Sequence, residues 1–561
     1  MREQPEASAF HHIIQHEKGP GTRRDGLPRQ YRVEIHPMAF TYSEKPGFRN
    51  LTIDRRLYSG GPSLDPMVPQ PSLHNLVRSM GEEWLYLLNK NARGYLICRT
   101  RGKLMVLAAG NHALVVNFAV DASIIGMPVS VYDEIISQVI PGPNLSPKRA
   151  EIVRSFVIPE RFKVEGSSPV TPRTINIFAA FISDDWVWTI CDSTRLVRMH
   201  IISRDQPWKA EDFELNSPSW PSFFEPFKGG PDWVSERTLA ERALDKWRKK
   251  TLALYQSWQD DSTHMITNYF HVTSLNQVPP RPKPPKSIAD RSILCDIYSN
   301  SHRAFSGFGP HTANDFLYQI ALFPGTPSYI ICLDDRKYTD FKVSLHTYMA
   351  QFYAPEFLSR VASVANDNNP FAFQGISNLT YTSSYTLVFR RTSVKVPRDL
   401  YNRYASLGLL DPEHIIGQPY LGRIDLCKRT KRKATVYLVH GALKFYTIIR
   451  AETPDGWDNG RAEAVEKDMT EDGHPTLGIA QTEERLLNRV DPKNAVSARG
   501  RPSMIHTGKP GRPARAKPPR KVVVKANKPR RTVKASSSRL LAGVNIDRES
   551  HTDDEESSSD G

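Results

Sequence analysis

The chain has 561 residues, of which 39% are hydrophobic and 24% charged, with 75 Lys+Arg against 60 Asp+Glu and a net charge of +15. That length suggests about two to four domains. Its longest apolar runs, "LMVLAA" and "ALVVNFAV", are far too short to span a bilayer, which excludes a membrane-embedded helical protein.

The charge is unevenly placed. Between Arg499 and Arg539 stand fourteen Lys/Arg and no Asp/Glu, and from Leu540 to Gly561 seven Asp/Glu and one Arg. Removing the +14 block and the −6 end from the total of +15 leaves +7 for residues 1–498. A single-sign block of this kind points to a polyanionic partner more strongly than a high overall pI does.

Residues 1–30 are polar, with "EKGPGTRRDGLPRQ", and are expected to be disordered. The opening "MREQPEASAFHHIIQHEKG" has no apolar run of the secretory kind. The five cysteines, Cys98, Cys191, Cys295, Cys332 and Cys427, form no CxxC pair and suit buried thiols in a reducing compartment. Both features predict an intracellular protein.

Residues 31–277 read as a first α+β domain. Two three-strand meanders are expected. One runs from Gly94 to Val120, turning at Arg101-Gly102 and Gly110-Asn111. The other runs from Thr174 to Ile202, turning at Ser183-Asp184-Asp185 and Asp192-Ser193-Thr194. Gaps of hairpin length cannot hold a crossover, so both are read as antiparallel. A long amphipathic helix follows from Ser235, with Leu239, Ala243, Leu244, Trp247, Leu254, Tyr255 and Trp258 on its apolar face and Asp232 or Ser235 as its cap.

"VPPRPKPPKS", residues 278–287, has five prolines in ten positions and reads as a stiff linker. Residues 288–455 read as a second α+β domain. "TANDFLYQIALF" and "SLHTYMAQFYAPEFLSRVASVAND" are expected as helices, the latter broken at Pro355, and "SYIICLDD" as a buried strand. "SNLTYTSSYTLVFRRTSVKV" and "KATVYLVHGALKFYTIIRAE" are expected as hairpins, the second turning at His440-Gly441. The whole reads as α+β, mostly antiparallel sheets with a few amphipathic helices. A long disordered tail over residues 456–561 completes it, basic over 499–539 and acidic over 540–561.

Within the tail stand Arg499-Gly500-Arg501-Pro502 and Gly511-Arg512-Pro513. They resemble the Arg-Gly-Arg-Pro core of AT-hooks, a resemblance covering about twenty residues. It implies a minor-groove contact in A·T-rich DNA: glycine lets the backbone lie deep, proline keeps it extended, and arginine enters the enhanced negative potential of a narrow groove. The first core lacks basic flanks. The second has them in Lys509, Arg515 and Lys517, but Pro510 replaces its leading arginine. Phosphate binding by the whole block is the broader reading, adding Arg520, Lys521, Lys525, Lys528, Arg530, Arg531 and Lys534. Pro518–Lys521, Lys528–Arg531 and Lys428–Lys433 also suit nuclear import. Thr552 and Ser557 have acidic residues three positions on, as acidophilic kinases prefer.

Catalytic signatures are absent: there is no G-x-x-x-x-G-K-[ST], G-x-G-x-x-G, H-E-x-x-H or G-x-S-x-G. His11, His12 and His16 could place two metal ligands on one helix face, but their segment is expected to be disordered; Asp334-Asp335 could hold a metal but has no third acidic partner identifiable in the sequence, and no cofactor is expected. Arg248, Lys249 and Lys250 beside Trp247 offer a basic edge with an aromatic, against the plainer reading of a core tryptophan and a solvated face. The expectation is a non-enzymatic nuclear protein that binds DNA or RNA. Its folded body would supply protein contacts or self-association, and no membrane or small-molecule partner is foreseen. The alternative is a capsid or nucleocapsid subunit of a eukaryotic virus, in the virion or host cytoplasm, whose basic arm neutralises packaged RNA.

Overall fold

A computed structural model of the protein describes residues 3–16, 28–40, 50–61, 83–89, 91–119, 122–142, 153–162, 173–227, 229–270, 292–362, 369–371, 375–389 and 393–410, with short pieces at 416, 426–431, 434–439, 450–452 and 488–489. The linker 278–287 and the tail from 490 onward lie outside the described residues. Residues Met1–Gly500 group as one unit.

The fold is α+β. Its strands are β1 (Arg32–Ile35), β2 (Leu51–Leu57), β3 (Ile97–Arg101), β4 (Leu104–Ala109), β5 (His112–Asn117), β6 (Ser123–Pro128), β7 (Val139–Pro141), β8 (Arg154–Val157), β9 (Arg173–Ile175), β10 (Ile177–Ile182), β11 (Trp186–Cys191) and β12 (Arg198–Arg204). Four short ones follow, β13 (Ser393–Lys395), β14 (Leu426–Lys431), β15 (Ala434–Val439) and β16 (Arg450–Glu452), with β17 at Asn488–Arg489. The helices are α1 (Gln4–His16), α2 (Val129–Ser137), α3 (Ser219–Phe224), α4 (Arg237–Phe270), α5 (Ile293–Tyr298), α6 (Pro310–Gln319), α7 (Ser328–Cys332), α8 (Asp335–Ala350), α9 (Pro355–Val361), α10 (Gly375–Ser384) and α11 (Arg398–Ser406).

Two sheets carry the first half. One is antiparallel in the order β1-β10-β11-β6; the other runs β2-β12-β5-β4-β3 and is antiparallel except where β12 meets β2. Strand alternation explains their continuous apolar sequences. Met105, Leu107 and Ala109 share one core with Phe181, Trp186 and Trp188 of the other sheet. Leu104, Val106 and Ala108 face the opposite way, into an aromatic layer of Trp208, Phe213, Trp220 and Phe223. A strand buried on both faces has no polar side to show, so "LMVLAA" reads as an unbroken run.

The first predicted meander is β3-β4-β5, turning at Gly102 (φ +57°) and Gly110 (φ +55°). The second is only half a meander. β10 and β11 pair as expected, but β12 leaves for the other sheet, between β5 and β2. Asp192 causes the switch. Its buried carboxylate accepts hydrogen bonds from Thr194 N (2.9 Å), Leu196 N (2.7 Å) and Val197 N (2.7 Å), folding the connection around itself while Arg195 sits at φ +54°. A short gap excludes a crossover helix, but it does not exclude a step between stacked sheets.

Other expectations are corrected. Residues 4–16, expected to be disordered, form α1, with Phe10, Ile13 and Ile14 buried in the inter-sheet core. "SYIIC" is helix α7, not a strand; a five-residue apolar run cannot tell one from the other. The first expected hairpin after Ser377 is instead α10 followed by β13, which pairs in parallel with β16. In the second, β15 pairs backwards with β14, Lys431 opposite Ala434, and His440-Gly441 lies outside the described residues. Pro355 opens α9 at its first turn, as the break predicts.

Residues on both sides of the proline-rich segment share one core. Trp233, Ala240, Leu244 and Trp247 pack with Ile293, Phe305, Phe316, Phe341 and Met349.

Candidate nucleic-acid interface

All seventeen predicted tail contacts, from Arg499 to Lys534, lie outside the described residues. Among the described residues the candidate surface centres on α4.

That helix is anchored at its start by two carboxylates. Asp232 Oδ1 accepts from Val234 N and Ser235 N, both at 2.9 Å, while its Oδ2 accepts from Gly102 N in the β3-β4 turn at 2.8 Å. Glu236 accepts from Arg101 Nε at 2.6 Å and from Trp220 Nε1 at 3.1 Å. The helix start is thereby fixed to β3. Its buried stripe is Ala240, Leu244 and Trp247, the last two as predicted, while Leu239 and Leu254 of the predicted face stand 47% and 40% exposed. Trp247 is wholly buried and donates its indole N–H to Asp296 at 3.1 Å, so it is a core residue and not a stacking platform.

Arg248 is likewise occupied. Its Nε donates to the Cys332 carbonyl at 2.9 Å, it pairs with Asp335, and its guanidinium lies 4.3 Å from the Tyr338 ring centre. The predicted basic edge therefore loses Arg248 and keeps Lys249 and Lys250. Opposite the buried stripe, Arg242, Lys246, Lys249 and Lys250 are exposed and make no hydrogen bond or ion pair among the described residues. At 3.6 residues per turn the four fall within an arc of about 100°. The acidic residues of this stretch point elsewhere: Glu241 pairs with Arg237 at 2.9 Å, and Asp245 accepts from Tyr338 at 2.6 Å and Lys342 at 2.9 Å. Many other body cations are committed too, including Arg29 to Asp185, Arg101 to Glu236 and Arg204 to Asp212.

The metal candidates come apart. Asp334 caps α8, its Oδ1 accepting from Arg336 N and Lys337 N at 3.0 Å each, and Asp335 is taken by Arg248. His11, on α1, lies with Nε2 3.2 Å from the Cys98 carbonyl. Among the described residues no group of three His, Cys, Asp or Glu is placed to hold a metal ion. Asp184 and Asp185 occupy the β10-β11 turn, as expected, pairing with Arg93 and Arg29.

A cavity of about 100 Å³ lies beside His36 and Glu34. Burial pushes the His36 pKa down against the opposing pull of Glu34, and its ring nitrogen sits 2.8 Å from the Tyr132 hydroxyl. The space suits about three waters and is well below the size of a small-molecule site.

Two histidine-centred contacts escaped sequence reasoning. His311 and Glu3 form a buried ion pair, and Tyr381 completes it. Nothing local in "GPHTAND" or "REQPEAS" signals either.

No family model matches this chain, and no curated protein is similar to it. Among solved structures, a complex of a Lactococcus lactis Fpg variant with Fapy-dG-containing DNA overlays with a TM-score of 0.35 at 9% identity, over 78% of this chain and 97% of that one. Lactococcus lactis formamidopyrimidine DNA glycosylase bound to AP-site DNA overlays with a TM-score of 0.30 at 10% identity, over 63% and 81%. Superpositions that loose, at that identity, establish no kinship of fold or activity.

Proposed function

We propose that this protein binds nucleic acid through the basic segment Arg499–Arg539, acting as a binding protein and not as a catalyst. The observation that carries the reading is fourteen Lys/Arg with no Asp/Glu across that segment. Such a density of fixed positive charge releases condensed counterions from a phosphate backbone, and this supplies sequence-independent affinity. The two Gly-Arg-Pro cores, at Gly500 and Gly511, add a preference for the A·T-rich minor groove on the finer form of the proposal. The import-like clusters Pro518–Lys521 and Lys528–Arg531 favour the nucleus as its place of action.

The acidic end tempers this binding. Seven Asp/Glu over residues 540–561 compete with phosphate for the same cations, and phosphorylation at Thr552 or Ser557 strengthens the competition by about two charges each.

The test is the salt dependence of binding to a duplex, measured by fluorescence anisotropy on the full chain and on a full-length variant with the fourteen tail cations changed to Gln. Each phosphate contact contributes about −0.9 to the slope of log K against log salt on duplex DNA. A much shallower slope in the variant supports the proposal. An unchanged slope removes the tail from the binding surface.

A further inference from the structure

We infer that the exposed face of α4, formed by Arg242, Lys246, Lys249 and Lys250, is a second phosphate-binding surface, through which the folded body contacts the nucleic acid that the tail holds. The inference rests on the nucleic-acid reading above and adds to it a defined surface on the body.

Three observations carry it. The first is that these cations make no ion pair or hydrogen bond among the described residues, while Arg101, Arg237, Arg248 and Lys342, on α4 or bonded to it or to Glu236 at its start, are all paired to carboxylates. A merely solvated helix face usually interleaves both signs for i,i+4 pairing; this one has no carboxylate on the stripe. The second is rigidity. The buried side of the helix is fixed by Leu244 and Trp247, and its start by Asp232 and Glu236, so the stripe is held as a straight edge. The third is dimension. From residue 242 to residue 250 the helix rises about 12 Å, a length along which duplex DNA carries about seven phosphate charges. Four lysine and arginine side chains can therefore each meet a different phosphate without bending the backbone of either partner. The contact inferred is to phosphate, which positions the protein and carries no sequence information.

The experiment uses the full chain. In one variant Arg242, Lys246, Lys249 and Lys250 are changed to Gln. A control of equal net charge changes the exposed cations Arg198, Lys209, Arg360 and Arg403 to Gln. All are compared on a 20-base-pair duplex across a salt series, with thermal melting to confirm folding and the tail-neutralised variant alongside. The expected result is that the α4 variant binds more weakly and that its slope falls by about 3, as three to four lost contacts require, while the control moves little. If the α4 variant behaves like the control while the tail-neutralised variant loses its slope, the inference is overturned and the tail reading stands; the stripe then faces solvent or another occupant, such as the chain's own acidic end. If the unchanged chain binds no nucleic acid, the nucleic-acid reading fails and the inference fails with it.

Discussion

Glu3 and His311 stand 308 positions apart in the chain and form a buried ion pair, with Glu3 Oε1 3.0 Å from His311 Nδ1. The same carboxylate accepts from His311 N at 3.1 Å, Thr312 N at 2.9 Å and the Thr312 hydroxyl at 2.5 Å. It thus caps α6, where the positive end of the helix dipole favours an anion. On its far side the imidazolium donates to the Tyr381 hydroxyl oxygen at 2.7 Å. Gly309 makes room: a Cβ there would lie 2.4 Å from the Glu3 carboxyl carbon. These contacts tie the start of the chain to helices formed three hundred residues later. Glu3→Ala removes one partner of a buried pair and is expected to lower the unfolding free energy by about 3–5 kcal/mol, read by urea denaturation. A loss below about 1 kcal/mol would sink this account.

The pair also sets a pH window. Burial raises the Glu3 carboxyl, but the His311 charge and the hydrogen bonds from His311 and Thr312 outweigh it and bring the group from 4.5 down to about 2. Burial lowers His311, but the Glu3 charge and hydrogen bond outweigh it, with help from Glu6 and Asp315, and raise it from 6.5 to about 9. A depressed carboxylate contributes stability that is present above its unfolded pKa and lost as pH falls through the folded one. A raised histidine contributes stability that is complete below its unfolded pKa and lost as pH rises through the folded one. The pair's contribution should therefore be flat between about pH 4.5 and 6.5, decline toward pH 2 on one side, and decline toward pH 9 on the other. Denaturation at pH 3, 5.5 and 9 checks this, and His311→Gln should abolish most of the alkaline decline. An alkaline decline that survives in His311→Gln belongs to other groups.

Asp192 is another buried carboxylate with a structural task. Removing it in Asp192→Ala strands the N–H groups of Thr194, Leu196 and Val197 in the turn that carries the chain from one sheet to the other. Of the three, the Val197 N–H is buried and the other two are partly open to water; a buried N–H left unsatisfied costs about 1–3 kcal/mol, so a loss of about that size is expected, with near-ultraviolet circular dichroism of Trp186 and Trp188 reporting the neighbouring strand. A neutral outcome would mean that water replaces the carboxylate freely.

Gly110 turns β4 into β5 at φ +55°, and a Cβ there would sit 1.9 Å from the Ala92 carbonyl oxygen. Gly110→Ala meets both the left-handed backbone penalty, about 1–3 kcal/mol, and a clash with backbone that cannot rotate away. A clear fall in melting temperature is expected. Gly408, also at positive φ but with open space around it, is the comparison: Gly408→Ala meets only the backbone penalty and should cost less.

In the tail, Gly500→Ala with Gly511→Ala separates minor-groove hooks from plain charge. The double change leaves every charge in place and adds a Cβ where a hook has no room. With hooks, binding to A·T-rich duplex weakens by roughly 1–3 kcal/mol, the size of a lost specific contact, and binding to G·C-rich duplex barely moves. If both duplexes bind as before, the tail is a phosphate binder alone.

Local chemistry determined much of this protein directly from its sequence. Gly102 and Gly110 mark the turns of β3-β4-β5 because both need φ above zero. Pro355 opens α9 because a proline's missing N–H has no helical partner to lose at the first turn. The long helix from Arg237 is legible from its apolar periodicity, and the charge of residues 499–539 needs no fold to be read. Tertiary structure decided the rest, because the deciding partner lay far along the chain. α1 looks like a polar terminus until Glu3 finds His311. β12 has the hairpin spacing of a third meander strand, yet its membership follows from which sheet has an open edge for it and from Asp192 holding the step. Arg248 and Lys249 are neighbours of like charge, but only Arg248 is withdrawn from solvent, by a carbonyl and a carboxylate on α7 and α8. A local pattern specifies backbone preference and periodicity; which face finds a partner, and which charge stays free, depends on residues that only folding brings within reach.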